Sequence, residues 1–381
     1  MSSVMSESVR EIRDLARQVA TDQLRPHVER WDRERAIDAD ALAQLAELGF
    51  FGMMVPEEFG GMGFDLPTYA VALEQLAWGE ASVALTVAHT AFVAQMILRQ
   101  GDDAQRHRWL EALAGGESRA CFAANEEQAG SDATALESRA RRAGDGWILS
   151  GEKRWVTNGA SADVALVLAR TADLPPEPGR RSQPRGIGAF LVPTAAAGYR
   201  SGERDTTMGF RPVDIVTVHL DDVRVAADAV LGDPSQGFLY TVELLDLGRL
   251  GVAAIALGIA QAALDHAVAY AAEREQFGRK LHKFQGMQFK LADMAIRVEA
   301  ARALLGAATA APTARSCSMA KVFASEAAMA VTTQAVQVFG GYGYMRDYPV
   351  EKLMRDAKAT EILEGTNEIQ RVLIARELYR D

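Results

Sequence analysis

Cysteine is nearly absent from this sequence: 381 residues contain two, Cys121 and Cys317. Neither sits in a CxxC pair, which excludes a sequence-local metal cluster or dithiol motif. Two isolated thiols make no disulfide framework, so both are expected reduced, as in a cytoplasmic protein. Positive charge is short too. Lys and Arg number 41 against 51 Asp and Glu, a formal net charge of -10. That excludes the basic footprint of a nucleic-acid binder, although a local arginine pair can still hold a phosphate. The opening "MSSVMSESVREIRDLARQVA" lacks the apolar core of a secretory leader. One uncharged run, residues 81–98, reaches the lower limit of roughly 18 residues for a membrane span. It is rich in Ala and Thr and holds His89 and Gln95, so it reads as a buried helix and no transmembrane segment is expected.

What is present falls into three parts. Val9, Ile12, Ala16 and Val19 recur at helical steps. A second helix is expected over 38–48, stopped by Gly49, then a turn-rich segment over 56–63 and helices over 66–114. The middle changes character: "GWILSGEKRWVTNGASADVALVLAR", "GIGAFLVP" and "DIVTVHLDDVRV" alternate apolar and turn residues, the pattern of strands. The Pro- and Arg-rich stretch 170–186 reads as an exposed loop between them. Helical periodicity returns over 238–270, 285–311 and 316–339, and again from Val350 with a break at Gly365. We therefore assign an N-terminal all-α domain (1–118), a middle β-barrel or sandwich domain (119–233) and a C-terminal helical-bundle domain (234–381), a multi-domain α+β chain. Strands and helices do not alternate as βαβ units, which disfavours a Rossmann sheet.

Several short motifs could carry chemistry. "GGMGF" and "GGYGY" fit neither GxGxxG nor a P-loop. "NEEQAGSDA" offers Asn125, Gly130 and Ser131 in a polar turn that can face an anion or a ring edge. In "GEKRWVTNG", strand alternation puts Trp155 and Thr157 on one face, a possible wall for a planar group or simply core. "EREQFGRKLHKFQ" gathers Arg274, Arg279, Lys280 and Lys283 around Phe277-Gly278, either a solvated basic helix end or a phosphate clamp. Asp246 and Arg249 are one helical turn apart, a local ion pair or a ligand contact. Finally, "ATEILEGTNEIQR" holds Glu361, Glu364 and Glu368 at helical spacings; spacing alone leaves all three as candidate bases.

Taken in order, "VPEEFGGMG", "NEEQAGSDA", "GEKRWVTNG", "LDLGRLGVAAIALGIAQAAL", "EREQFGRKLHKFQ", "QVFGGYGYMRDYPVEKLMRDAK" and "ILEGTNEIQR" resemble the acyl-CoA dehydrogenase family over nearly the whole chain. The resemblance implies helical, β-barrel-like and four-helix domains. It also implies a homotetramer, a dimer of dimers, with one FAD per subunit and each FAD site shared with a neighbour. The implied reaction is α,β-dehydrogenation of an acyl-CoA to the trans-2-enoyl-CoA, with electrons passed to an electron-transfer flavoprotein. Glu364 would take the α proton and its own N–H would bond the thioester oxygen, which Gly365 lets approach.

The same resemblance puts Phe122, Asn125 and Ser131 along the flavin, and Trp155, Val156 and Thr157 around its ring. Arg274, Gln276, Phe277, Phe284, Gln285, Gln337, Gly340 and Gly341 would contact its pyrophosphate and adenosine. Thr366 and Glu368 would touch FAD beyond the base; Ser131, Asp246, Arg249 and Arg376 would meet the substrate. Two departures stand out: Asn125 replaces the family's usual threonine in a motif with Glu127-Gln128 for Pro-Gly, and Leu363 replaces a frequent aromatic residue. Ile255 and Thr360 resemble positions that floor the acyl cavity, which points to a short or short-branched acyl group. An acyl carrier protein substrate, an oxidase and a non-catalytic scaffold are the alternatives on the same fold.

Overall fold

A computed structural model describes residues 7–173 and 183–379; part of the 170–186 loop therefore lies outside the described residues. Six helices form the N-terminal part: α1 (Glu7–Val19), α2 (Val28–Glu34), α3 (Ala39–Glu47), α4 (Leu66–Gly79), α5 (Ala81–Gln100) and α6 (Asp103–Ala114). Their starts follow from local chemistry. The Asp65 carboxylate accepts from the Thr68 N–H at 2.9 Å ahead of Pro67, Glu80 accepts from Ser82, and Asp102 and Gln105 form a reciprocal capping box. Gly49, at φ 79°, ends the second expected helix as anticipated.

Seven strands follow: β1 (Ala120–Ala123), β2 (Arg139–Ala143), β3 (Gly146–Thr157), β4 (Val164–Arg170), β5 (Ile187–Pro193), β6 (Tyr199–Arg204) and β7 (Ile215–Val225). They pair in the order β1-β4-β2-β3-β7-β6, with β5 on β4. Strand β4 shows how the sheet joins the helices. Ala165, Val167 and Ala169 point into the sheet's own core with Trp147, Phe190 and Val218. Val164, Leu166 and Leu168 alternate to the other side and join the helical core.

The C-terminal part has α7 (Gly237–Glu273), a small hairpin of β8 (Glu275–Gln276) and β9 (Arg279–Lys280), then α8 (Gln285–Ala310), α9 (Ala314–Phe339), α10 (Pro349–Thr360) and α11 (Asn367–Leu378). Helix α7 is the axis of the molecule. Small residues let neighbours come close: a Cβ on Gly258 would lie 2.3 Å from the Glu74 carbonyl of α4. Both α5 and α7 are long and apolar enough to span a membrane by composition, but their most apolar windows are 78% and 89% buried inside the protein. They are core helices.

Buried charge ties the three parts together through α10. The Lys352 ammonium donates to both Glu80 oxygens, at 2.7 and 2.6 Å, and to Asp356 at 2.8 Å. Asp356 also accepts the Phe210 N–H at 2.7 Å. Beside it, Asp32 of α2 accepts from Arg355 at 2.9 Å and from Arg211 at 3.3 Å. Lys352→Met leaves two buried carboxylates without a cation. We expect it to destabilise the protein by about 3–5 kcal/mol, read as a lowered denaturant midpoint; an unchanged midpoint would show that the cluster contributes nothing.

Candidate active site

Helix α10 ends at Thr360, and the chain turns through Ile362 and Leu363, whose N–H groups both return to the Ala359 carbonyl at 2.9 Å. Glu364 then sits at φ 54° and Gly365 at φ 87°. A left-handed glutamate costs of order 1–3 kcal/mol unless its surroundings over-determine it. They do so here: the Gln370 side-chain amide donates to the Glu364 carbonyl at 3.0 Å and to the Gly365 carbonyl at 3.1 Å. A Cβ on Gly365 would lie 2.7 Å from that same amide, so the glycine is needed by the turn. The Glu364 N–H donates to no backbone carbonyl among the described residues.

The turn aims the Glu364 carboxylate at α7. Its Oε2 lies 2.4 Å from where a Cβ of Gly248 would stand. Carboxylate and helix share a narrow pocket lined also by Tyr69, Leu85, Ala88, His89, Phe92, Leu247, Gly251 and Val252. These side chains are overwhelmingly apolar. Burial pushes the Glu364 carboxyl above the ordinary carboxylate range, while Arg249 and Lys321 pull it partway back. Burial also takes the His89 imidazole down to about 4, so it is neutral at pH 7.

The apolar setting does not come from the residue two before the base in sequence. Ile362, next but one before the base, is 56% exposed. The wall is supplied by α4, α5 and α7 instead. Ile255 and Thr360 are fully buried and are not among the residues lining this pocket, which include Tyr69 and Leu85. The other two glutamates separate cleanly. Glu361 pairs with Lys358 at 2.5 Å. Glu368 is exposed in the first turn of α11.

Arg249 is 6% exposed, bonded to Asp246 at 2.5 Å, and its Nε has no partner among the described residues. A buried orphan donor beside the pocket suits a polar ligand group. Phe122 of β1 is half-buried and rests on Phe92 of the pocket wall, ring centroids 5.1 Å apart. Asn125 and Ser131 are exposed in the turn after β1. That turn is pinned by Glu126, which sequence reasoning passed over: it accepts from buried Lys153 at 2.7 Å and from the Glu137 and Ser138 N–H groups. Burial opposes ionisation of Glu126, but Lys153 and these bonds hold it down to about 2.

The shared face expected for Trp155 and Thr157 needs a correction. A register shift between Lys153 and Val156 interrupts β3, and Trp155 takes φ 55°. The bulge turns the indole out, 48% exposed, while Val156 and Thr157 are both buried. The result still offers an uncovered aromatic face beside the entry from β1.

The basic stretch after α7 is a hairpin rather than a helix end. Phe277 (φ 53°) and Gly278 (φ 73°) form its two-residue turn, both left-handed as a type I′ turn requires. Phe277 is 94% exposed, and Gln276 and Gln285 are exposed too, with Phe284 half-buried. Arg274 lies over the Tyr342 ring, 5.4 Å from its centroid, which brings the hairpin beside exposed Gln337, Gly340 and Gly341. Thr366 caps α11, and Arg376 is exposed in its last turn.

The candidate residues thus form two groups. Gly365, Arg249 with Asp246, and Phe122 through Phe92 come to Glu364; Arg274, Gln276, Phe277, Phe284, Gln285, Gln337, Gly340 and Gly341 lie at the far end of α7 and α9. Lys321 of α9 bonds Gly365, and Gln337 stands about 24 Å further along that helix at about 1.5 Å per residue.

Comparison with known proteins agrees with this architecture. The acyl-CoA dehydrogenase N-terminal domain model matches residues 6–117, the middle domain 121–223 and the C-terminal domain 235–379. The mitochondrial short-chain specific acyl-CoA dehydrogenase of Rattus norvegicus is 40% identical over 383 residues, 99% of this chain and 91% of the rat protein. Butyryl-CoA dehydrogenase from Megasphaera elsdenii superposes with a TM-score of 0.95 at 37% identity, over 100% of both chains. A chain from a structure described as the electron transferring flavoprotein of Acidaminococcus fermentans gives 0.95 at 40% identity, again over 100% of both.

Proposed function

The chain belongs to the acyl-CoA dehydrogenase family of flavin-dependent oxidoreductases, and on that premise we propose that it oxidises a short-chain acyl-CoA with Glu364 as the base and FAD as the cofactor. The observation that carries this reading is the Glu364 turn: a carboxylate aimed into an apolar pocket, on a residue whose own N–H donates to no backbone carbonyl among the described residues. An α C–H is a weak acid, so proton removal needs both features. The carboxylate takes the α proton, and the Glu364 N–H steadies the charge growing on the thioester oxygen. The C–H electron pair becomes the new α,β double bond. When bound, FAD supplies the acceptor for the β hydrogen and its electron pair.

The chain's own residues suit such a group. Trp155 and Phe277 leave large rings uncovered where the family resemblance puts the flavin and the adenosine. Thr157, Thr366 and Arg274 add hydrogen-bond donors. The second candidate group stands too far along α9 to close on the Glu364 pocket of the same chain, which supports a site completed by a neighbouring subunit. Exposed Phe289 and Ile296 of α8 and Phe323 of α9 supply apolar surface for that contact. We propose a homotetramer that hands its electrons to an electron-transfer flavoprotein.

Substrate length follows from the pocket. Tyr69, Leu85 and Phe92 wall it closely beside the base, which favours a short acyl group. Turnover of a straight- and branched-chain acyl-CoA panel, with an electron-transfer flavoprotein or with air as acceptor, tests the reading. We expect kcat/KM to peak at about four carbons and to fall roughly 10-fold or more for each poorly accommodated methylene. A peak at long chains would overturn the substrate assignment, and rapid turnover in air alone would favour an oxidase.

A further inference from the structure

We propose that Lys321 is a positioning residue for the base, a buried ammonium that clamps the turn behind Glu364 through the Gly365 carbonyl and the Asn367 side chain. The inference rests on the reading of Glu364 as the base. Lys321 lies in the middle of the apolar stretch "SMAKVFASEAAMA" of α9 and is 0% exposed. Its Nζ donates to the Gly365 carbonyl and to Asn367 Oδ1, each at 2.9 Å. Among the described residues it forms no ion pair with a carboxylate. Burying an ammonium against neutral acceptors alone is costly, so its place there calls for a purpose.

The neighbours of Lys321 indicate one. Ser318 and Ser325 project from the same stripe of α9, and both are 0% exposed. Ser318 donates to Gln370 Oε1 at 2.9 Å, and the Gln370 amide in turn holds the Glu364 and Gly365 carbonyls. The Asn367 amide donates to Ser325 Oγ at 3.0 Å. Three polar side chains of one helix therefore grip both sides of two consecutive left-handed residues. Backbone that would otherwise relax is held where it aims the carboxylate at Gly248.

The charge matters as well as the bonds. Facing the Glu364 carboxylate are Tyr69 from α4, His89 from α5, Arg249 paired with Asp246 on α7, and Lys321 from α9. Of these, Arg249 and Lys321 are the cations that favour the ionised base. Burial lowers Lys321 itself to about 8; Glu364, Glu361 and Glu368 oppose that fall, and Arg249 adds to it. Base and ammonium thus stabilise each other's charged forms across the turn.

The test is the anaerobic bleaching rate of the full-length, flavin-loaded enzyme with butyryl-CoA, followed against pH in a stopped-flow instrument. Lys321→Met should lower the limiting rate roughly 10-fold or more and move the pH midpoint upward, because a cation near the carboxylate is gone. Asn367→Ala keeps the charge and loosens the clamp, so it should lower the rate with the midpoint unmoved. A Lys321→Met enzyme with the wild-type midpoint overturns the proposal whatever its melting temperature. So does an Asn367→Ala enzyme with the wild-type limiting rate, which decides the matter if Lys321→Met fails to fold. Glu364→Gln runs alongside: if it bleaches normally, the base assignment itself falls. If it is inert while both other variants match wild type, only the role of Lys321 falls.

Discussion

Glu364→Gln is expected to keep its flavin and lose the reaction. The amide has the shape of the carboxyl, so the turn held by Gln370 and Lys321 should persist. It cannot accept the α proton, and general-base loss of this kind costs roughly 10²–10⁴-fold in rate. The pH dependence gives a second readout. Only the ionised carboxylate accepts a proton, and burial raises the Glu364 pKa from its ordinary value. Bleaching by the wild type should therefore climb as pH rises through a midpoint above the usual carboxylate range, then level off. The residual rate of Glu364→Gln should show no such limb. Undiminished bleaching would put the base elsewhere.

Gly248→Ala should be almost as damaging to the reaction while sparing the fold. Glycine inside α7 costs the helix about 1 kcal/mol relative to alanine, so its presence needs a local reason. The reason is geometric: a Cβ there would meet Glu364 Oε2 at 2.4 Å and Cδ at 2.8 Å. The obstruction is the end of a mobile side chain, so the carboxylate moves aside and α7 stays put. Displacing a reacting group by about 1 Å can cost roughly 10²-fold. We expect bleaching to fall by that order with the melting temperature unchanged or slightly raised. Normal bleaching in Gly248→Ala would mean the carboxylate does not work from this position.

Much of this was legible in the sequence because the signals are local. Periodicity separates the helical ends from the β-rich middle, and Gly49 stops its helix in the expected place. Glu364 stands out through its glycine and its family match. What escaped is what depends on distant packing. The bulge at Trp155 breaks an alternation that the residues themselves do not mark. Tyr69 and His89 come to the pocket from α4 and α5, nearly 300 residues from the base in sequence. A lone histidine in an uncharged apolar run was visible, but nothing nearby says what it faces. Lys321 was visible in the same way, one charge on the buried stripe of α9. Tyr69 lines the pocket from another domain, a neighbour that a matching position at Ile255 does not reveal.

Loaded with FAD, this chain should remove two hydrogens from a short acyl-CoA. Anaerobic mixing with stoichiometric butyryl-CoA tests it directly, with absorbance following the flavin and chromatography following the thioester. The oxidised flavin band should disappear, with one 2-enoyl thioester formed for each flavin reduced. A flavin that stays oxidised with butyryl-CoA and with its neighbours in chain length would contradict it.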